Sequence, residues 1–201
     1  TDNTAIGDNV LGANISADNN TAVGSSALLV NSSGAGNTAV GAFALDANTT
    51  GGSNTAIGNG ALSANTTTGA NVAIGRNALS VATAASNVAI GYTAMEANTT
   101  GTYNIAIGHN AIAANTTGAN NVGIGHQALD ANTDASNNIA VGYDALTTNS
   151  TGAQNIAVGS YALDANTTAS YNTAVGYVAL SANTTGANNV AVGYYALSGN
   201  T

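Results

Sequence analysis

The chain has no cysteine, no proline and no tryptophan in 201 residues, and Arg76 is its single basic side chain. Each absence closes a class of answer. Without cysteine there are no disulfides and no thiolate metal sites. One cation against nine carboxylates gives a formal charge of −8, which cannot neutralise a run of phosphates. Nucleic acid is therefore excluded as a partner, and an anionic membrane surface is disfavoured. No run of about 18 apolar residues occurs, so no membrane insertion by this segment is expected. The start at Thr1 lacks the basic and apolar regions of a secretory signal, as a processed protein or an excised segment also would. Only 5% of residues are charged, against about a quarter in ordinary globular domains, while 44% are apolar, chiefly Ala, Val, Ile and Leu. Such a composition points to a repetitive architecture.

One unit accounts for nearly all of the chain. Its cleanest copy is the stretch 172–188, NTAVGYVALSANTTGAN, and copies begin at Asn3, Asn20, Asn37, Asn54, Asn71, Asn87, Asn104, Asn121, Asn138, Asn155, Asn172 and Asn189. The period is 17 residues, except for a 16-residue copy at Asn71 that replaces the usual Asn-Thr-Thr-Gly with Val81-Ala82-Thr83-Ala84-Ala85. That copy is expected to be a local irregularity and not a boundary. With no linker, charge block or composition break, residues 1–201 read as a single repeat domain, a segment of a longer fibre or filament.

A short fixed period means stacked units, none of which can bury its apolar face alone. Within each unit the Asn-Thr-Ala-Val-Gly segment alternates with period 2 and carries a glycine at its fifth position, which opposes a helix. The Asn-Thr-Thr-Gly segment is turn chemistry, because Asn tolerates left-handed backbone and Gly supplies positive φ. The fold class expected is all-β: a parallel β-solenoid of about twelve coils, two short strands to a coil. At the parallel-strand spacing of about 4.8 Å the rod would be roughly 55 Å long.

Comparing the copies assigns faces. Position 4 is always Ile or Val and position 9 is Leu in ten copies, Met95 and Ile112 in the others, so both are expected inside. Position 5 is Gly throughout, where a bend or a close backbone approach leaves no room for Cβ. Position 1 is Asn throughout, which predicts a stacked amide ladder; Asn104, Gly108, Asn121, Gly125, Asn138 and Gly142 represent this structural framework. Position 3 is Ala in eleven copies and Gly123 in the other. If position 4 is inside, alternation turns position 3 outward. A face restricted to tiny residues then implies a second backbone packed against it, and Ala89, Ala106, Gly123, Ala140 and Ala157 are expected at an interface between copies. The thin single-chain core points the same way, to a homo-oligomer.

Units such as NTAVGYVAL (172–180) and NVAIGRNAL (71–79) resemble the head repeats of YadA-like trimeric autotransporter adhesins and related repeats of phage tail fibres. The resemblance covers nearly the whole chain, through a short motif of low complexity. It implies a trimer of left-handed parallel β-rolls on an extracellular, cell-surface or virion fibre. This chain departs from it in its longer period, with the added Asn-Thr-Thr-Gly turn, and it carries no recognisable stalk or anchor. The hexapeptide helix of acyltransferases fits the hexad Val192–Leu197 but fails at position 10, which holds Asp46, Ser63, Glu96, Asp130, Asp164 and Ser181.

Catalytic chemistry is scarce, and neither an enzyme nor a cofactor is expected. Asp46, Glu96, Asp130 and Asp164 share position 10 on coils too far apart to act as acid and base. His109 and His126 occupy position 6 of consecutive coils, but no carboxylate at that position completes a metal site. The alternating Gly and Asp of calcium-binding β-rolls are absent. Glycosylation sequons recur from Asn14 to Asn183 and read as duplicated turn chemistry, since glycans on successive coils would collide. One surface feature stands out. At position 6 the coils from 87 onward read Tyr92, His109, His126, Tyr143, Ser160, Tyr177 and Tyr194. Stacking aligns these into a stripe roughly 30 Å long, and exposed Tyr is favoured where partners bind. The sequence thus predicts a structural or adhesive fibre, partnered by itself and by a surface receptor or glycan. An end-to-end filament is the alternative. An ice-binding rod comes third, disfavoured because paired residues such as Thr49 and Thr50 point opposite ways.

Overall fold

In a computed structural model, residues 2–200 are described, and they form one stack of coils. Each coil contributes one three-residue strand, from β1 (Thr4–Ile6) to β12 (Val190–Val192), and the twelve strands lie in chain order in one parallel sheet. There is no helix among the described residues. Register is strict. Strand β7 (Ile105–Ile107) meets β8 (Val122–Ile124) with Ala106 opposite Gly123 and Ile107 opposite Ile124, and every other pair repeats the pattern.

Only one strand forms per coil, where two were expected. The opposite wall is not extended, because positions 7 and 9 hold positive φ in coil after coil, for example Gln127 at 52° and Leu129 at 57°. Its carbonyls and amides still pair between coils. The Leu28 N–H donates to the Ala44 carbonyl at 3.0 Å, and the Ser26 N–H donates to the Asp8 carbonyl at 2.9 Å. The left-handed residue at position 9 swings Leu inward beside the Ala of position 8, so two consecutive side chains share one face. Leu28, Leu129 and Leu180 are wholly buried in this way, with Met95 and Ile112 in the same column.

The assignment of positions 3 and 4 from sequence is reversed. Ala89, Ala106, Ala140 and Ala157 are completely buried in the core of their own chain, and Gly123 lies in the same column. They cannot meet a partner, and the interface inferred from them is withdrawn. The side chains of positions 2 and 4 point outward instead; Ile105 and Ile107 are both more than a third exposed. The reason is the thickness of the coil. The strand faces an opposite wall that already fills the interior with Ala and Leu, leaving room for one methyl group at position 3.

One coil shows how tight that fit is. A Cβ added to Gly123 would lie 2.5 Å from Cγ1 of Ile112 and 2.9 Å from the Ala128 carbonyl oxygen. The copy that carries Gly at position 3 therefore follows the copy that carries β-branched Ile at position 9. Gly123→Ala should cost about 1–3 kcal/mol through overpacking. Adding Ile112→Leu, which restores the pairing used elsewhere, should recover most of it. Urea titration of the two singles and the double mutant gives the coupling; additive losses would show that the two sites are independent.

The amide ladder runs the length of the core. The Asn121 N–H donates to Asn104 Oδ1 at 2.9 Å, and Asn138 does the same to Asn121 at 2.9 Å. Each Asn also crosses its own coil, Asn104 Nδ2 reaching the Gly118 carbonyl at 2.8 Å. Glycines at position 5 sit where the chain turns off the strand. Gly108, Gly125 and Gly142 have φ of 135°, 133° and 141°, and a Cβ on Gly125 would fall 2.3 Å from the Gly142 carbonyl oxygen. No other residue fits there. A second ladder runs through position 12, where Asn48 Nδ2 donates to Asn31 Oδ1 at 2.8 Å and to the Gly51 carbonyl at 2.9 Å, closing the turn.

The short copy interrupts this second ladder and leaves the strands alone. Ala82 stands in the Asn column, wholly buried, while β5 (Val72–Ile74) still pairs with β6 (Val88–Ile90) in register. Asn71 Nδ2 reaches the Ala84 carbonyl at 2.9 Å, as its equivalents reach position 15, so the missing residue is the one at the turn tip.

Candidate contact surface

Position 6 follows the glycine turn, and because every coil repeats that turn, its side chains stack directly over one another. Tyr92, His109, His126 and Tyr143 form a continuous parallel stack with centroid separations of 5.3, 5.2 and 5.1 Å and interplanar angles of 8°, 9° and 7°. Arg76, one coil before, places its guanidinium 5.7 Å from the Tyr92 centroid. Tyr177 and Tyr194 stack at 5.5 Å and 15°.

Ser160 should break the stripe between Tyr143 and Tyr177, yet the rings continue. Tyr161, from position 7, fills the gap edge-on, 5.4 Å from Tyr143 and 6.1 Å from Tyr177. Tyr195 joins at the far end, 4.6 Å from Tyr194. Following position 6 from the coil at 87 onward missed Arg76, at the same position one coil earlier, and Tyr161 and Tyr195, at position 7. The signal for Tyr161 was present: an aromatic at position 7 in a coil whose position 6 is Ser160. Tyr103 and Tyr171 precede the Asn column and lie outside the stripe, both strongly exposed.

Stacking decides what the stripe can offer. Ring faces are covered by the rings above and below, so solvent meets ring edges and phenolic hydroxyls, with Tyr92, Tyr143 and Tyr177 each a little under half exposed. A ligand would meet a ridge of apolar edges and hydrogen-bonding tips spaced by one coil. His126 Nδ1 lies 3.7 Å from Asp144 Oδ1, and Gln127 Nε2 donates to Asp130 Oδ2 at 3.5 Å, so the middle of the ridge is flanked by acidic groups. Among the described residues no group of three or more His, Cys, Asp and Glu is placed to hold a metal ion.

The carboxylates of position 10 lie apart, as their spacing requires. Burial pushes the carboxyls of Asp46, Asp130 and Asp164 above the ordinary range; backbone hydrogen bonds at Asp46 and Asp164, and Gln127 and His126 beside Asp130, act in the opposite sense. A carboxyl raised in the folded state favours the neutral form, so its contribution is fully present below the unfolded value of about 3.9 and is lost as pH rises through the folded one. Asp164→Asn should therefore raise the melting temperature at pH 7, and the gain should vanish near pH 3. An equal gain at both pH values would point to packing instead.

The sequons are occupied by structure. Asn31, Asn48, Asn65, Asn98, Asn115, Asn149, Asn166 and Asn183 are wholly buried, their Nδ2 groups donating within the ladder and the turn. Folded coils leave no acceptor nitrogen free at these eight; Asn14, in the first coil, is partly exposed. Compared with family models, curated proteins and solved structures, the chain matches none.

Proposed function

We propose that this chain is a non-enzymatic segment of an extracellular fibre, on a cell surface or a virion, serving as a shaft or an adhesive head, and that copies of it associate, as a trimer on the resemblance noted above. The observation that supports it most is the uninterrupted register of all twelve strands. A stack in which each coil seats the next is a stiff spacer whose length follows from the number of coils. Adhesion, on this reading, belongs to the ridge of Tyr92, His109, His126, Tyr143, Tyr177 and Tyr194, the part of the surface richest in aromatic edges and hydroxyls.

The test is to change those six residues to Ser together and compare binding to glycan arrays and cultured cells with the unchanged protein. Stacked pairs contribute a few tenths to about 1 kcal/mol each, which the ladders can absorb. β-type circular dichroism should persist while binding falls at least tenfold. Binding that survives would make the ridge a structural brace and the segment an inert shaft.

A further inference from the structure

Tyrosines crowd one stretch of the ridge. Tyr143, Tyr161, Tyr177, Tyr194 and Tyr195 occupy four successive coils, and each ring meets the next, at centroid separations of 5.4, 6.1, 5.5 and 4.6 Å. Tyr177 also meets Tyr195 at 5.6 Å, so it faces three other phenols. Tyr143, Tyr177, Tyr194 and Tyr195 are exposed, Tyr194 the most at 76%. His109 and His126 stand between this group and Tyr92. The chain has no cysteine and no tryptophan, and its single methionine, Met95, is wholly buried. Phenols are therefore the most readily oxidised groups that an oxidant in solution can reach.

We propose that this cluster is a site of oxidative modification, at which a one-electron oxidant of the peroxidase class joins Tyr177 to Tyr194 and ties two successive coils covalently. Each phenol gives up one electron and one proton, and the pair together reduce one hydrogen peroxide to two waters. The two phenoxyl radicals form one carbon–carbon bond between ring positions ortho to the hydroxyls. Hydrogens on those two carbons shift to oxygen, restoring both phenols, and the product is lighter than the parent by two hydrogen atoms. Geometry selects the pair. The planes of Tyr177 and Tyr194 are 15° apart, one coil above the other. Turning both rings about Cβ–Cγ, a soft torsion in tyrosine, lays them edge to edge with ortho carbons facing. Tyr161 instead stands at 65° to Tyr143 and 87° to Tyr177, which aims ring edges at ring faces. Those rings act as relays, passing a radical by contact toward the pair. Neighbouring coils hold the two phenols at an effective concentration far above that of a second chain in dilute solution, so the bond forms within one chain. Adhesion plays no part in this chemistry, which needs only the ring geometry and the oxidant.

The chain, at low micromolar concentration, is treated with a peroxidase and hydrogen peroxide, and the product is followed by dityrosine fluorescence, denaturing electrophoresis, intact mass and peptide mapping. The expected product is a single chain, lighter by two hydrogen atoms, with the bond mapped to Tyr177 and Tyr194. Tyr177→Phe keeps a ring in the stack without an oxidisable hydroxyl and should lower intrachain dityrosine at least tenfold, with β-type circular dichroism unchanged. Tyr103→Phe combined with Tyr171→Phe should leave the yield unchanged, although both residues are more exposed than Tyr177. In urea strong enough to unfold the chain, the bond between Tyr177 and Tyr194 should form at least tenfold less. No dityrosine at all, bonds only between chains, bonds mapped to Tyr103 or Tyr171, an undiminished yield in Tyr177→Phe, or equal yields from folded and unfolded chains would each overturn the inference.

Discussion

Ala140→Glu should unfold the chain, whereas Val141→Glu, one residue on, should leave it folded. Ala140 is wholly buried, in a column with room for one methyl group. A carboxylate there has no partner, and an unpaired buried charge costs several kcal/mol even after it protonates. Because each coil is held only by its neighbours, a failed coil deprives those on either side of the surface that seats them, and the loss spreads along the stack. Loss of the β-type signal and of a cooperative melt at 25 °C is the expected result. Val141 points outward and is half-buried, so its replacement should preserve both. The opposite pattern would mean that position 4 lines the core.

Asn104→Ala should cost about 1–3 kcal/mol, from one buried group left unpaired. The group is the Asn121 N–H, which donates to Asn104 Oδ1; the Gly118 carbonyl, which accepts from Asn104 Nδ2, keeps a second donor in Asn115 Nδ2. Asn104→Asp keeps the acceptor but turns a donor into a carboxylate facing a carbonyl, so it should not rescue. Thr117→Ala, on the exposed turn, serves as the control and should change stability by less than about 0.5 kcal/mol. Chemical denaturation of the three variants decides; a loss at Asn104 no larger than at Thr117 would show that the ladder orders the coil without stabilising it. Ala82 shows what natural removal of a ladder Asn requires. It lies in the second ladder, in the one coil whose turn is shortened, and Asn65 Oδ1 there accepts from the Thr68 hydroxyl instead.

Period, parallel stacking, the Asn and Gly columns and the buried Leu column were all legible in the sequence, because each is a residue type fixed at one position. The two faces of the strand were not. In a strand of three residues, alternation says that Ala106 and Ile107 oppose each other without saying which is inside, and bulk favoured Ile. Two clues pointed the other way. A buried Asn at position 1 shares its face with position 3, so a core ladder carries the Ala column inward with it. The single Gly at position 3 follows the single Ile at position 9, a compensation that only residues in contact would show. The second Asn ladder and the left-handed wall escaped because Asn-Thr-Thr-Gly and Ala-Leu read as ordinary turn and ordinary core. Nothing in residue type alone announces positive φ at a Leu.

The turn tip after Thr83 lacks a residue, yet the strands on either side keep their pairing. Coil size can thus vary at one corner while the framework that seats each coil stays fixed. Copies other than those that carry Ala82, Met95, Ile112 or Gly123 meet the same Asn, Gly and Leu columns on one another, so unequal recombination among them could add or delete whole coils and still yield a folded product. Each such event would change the reach of the rod by about 4.8 Å. Length in this fold is a trait selection can adjust in steps, and the corner is where a foreign loop could be carried outward without disturbing it.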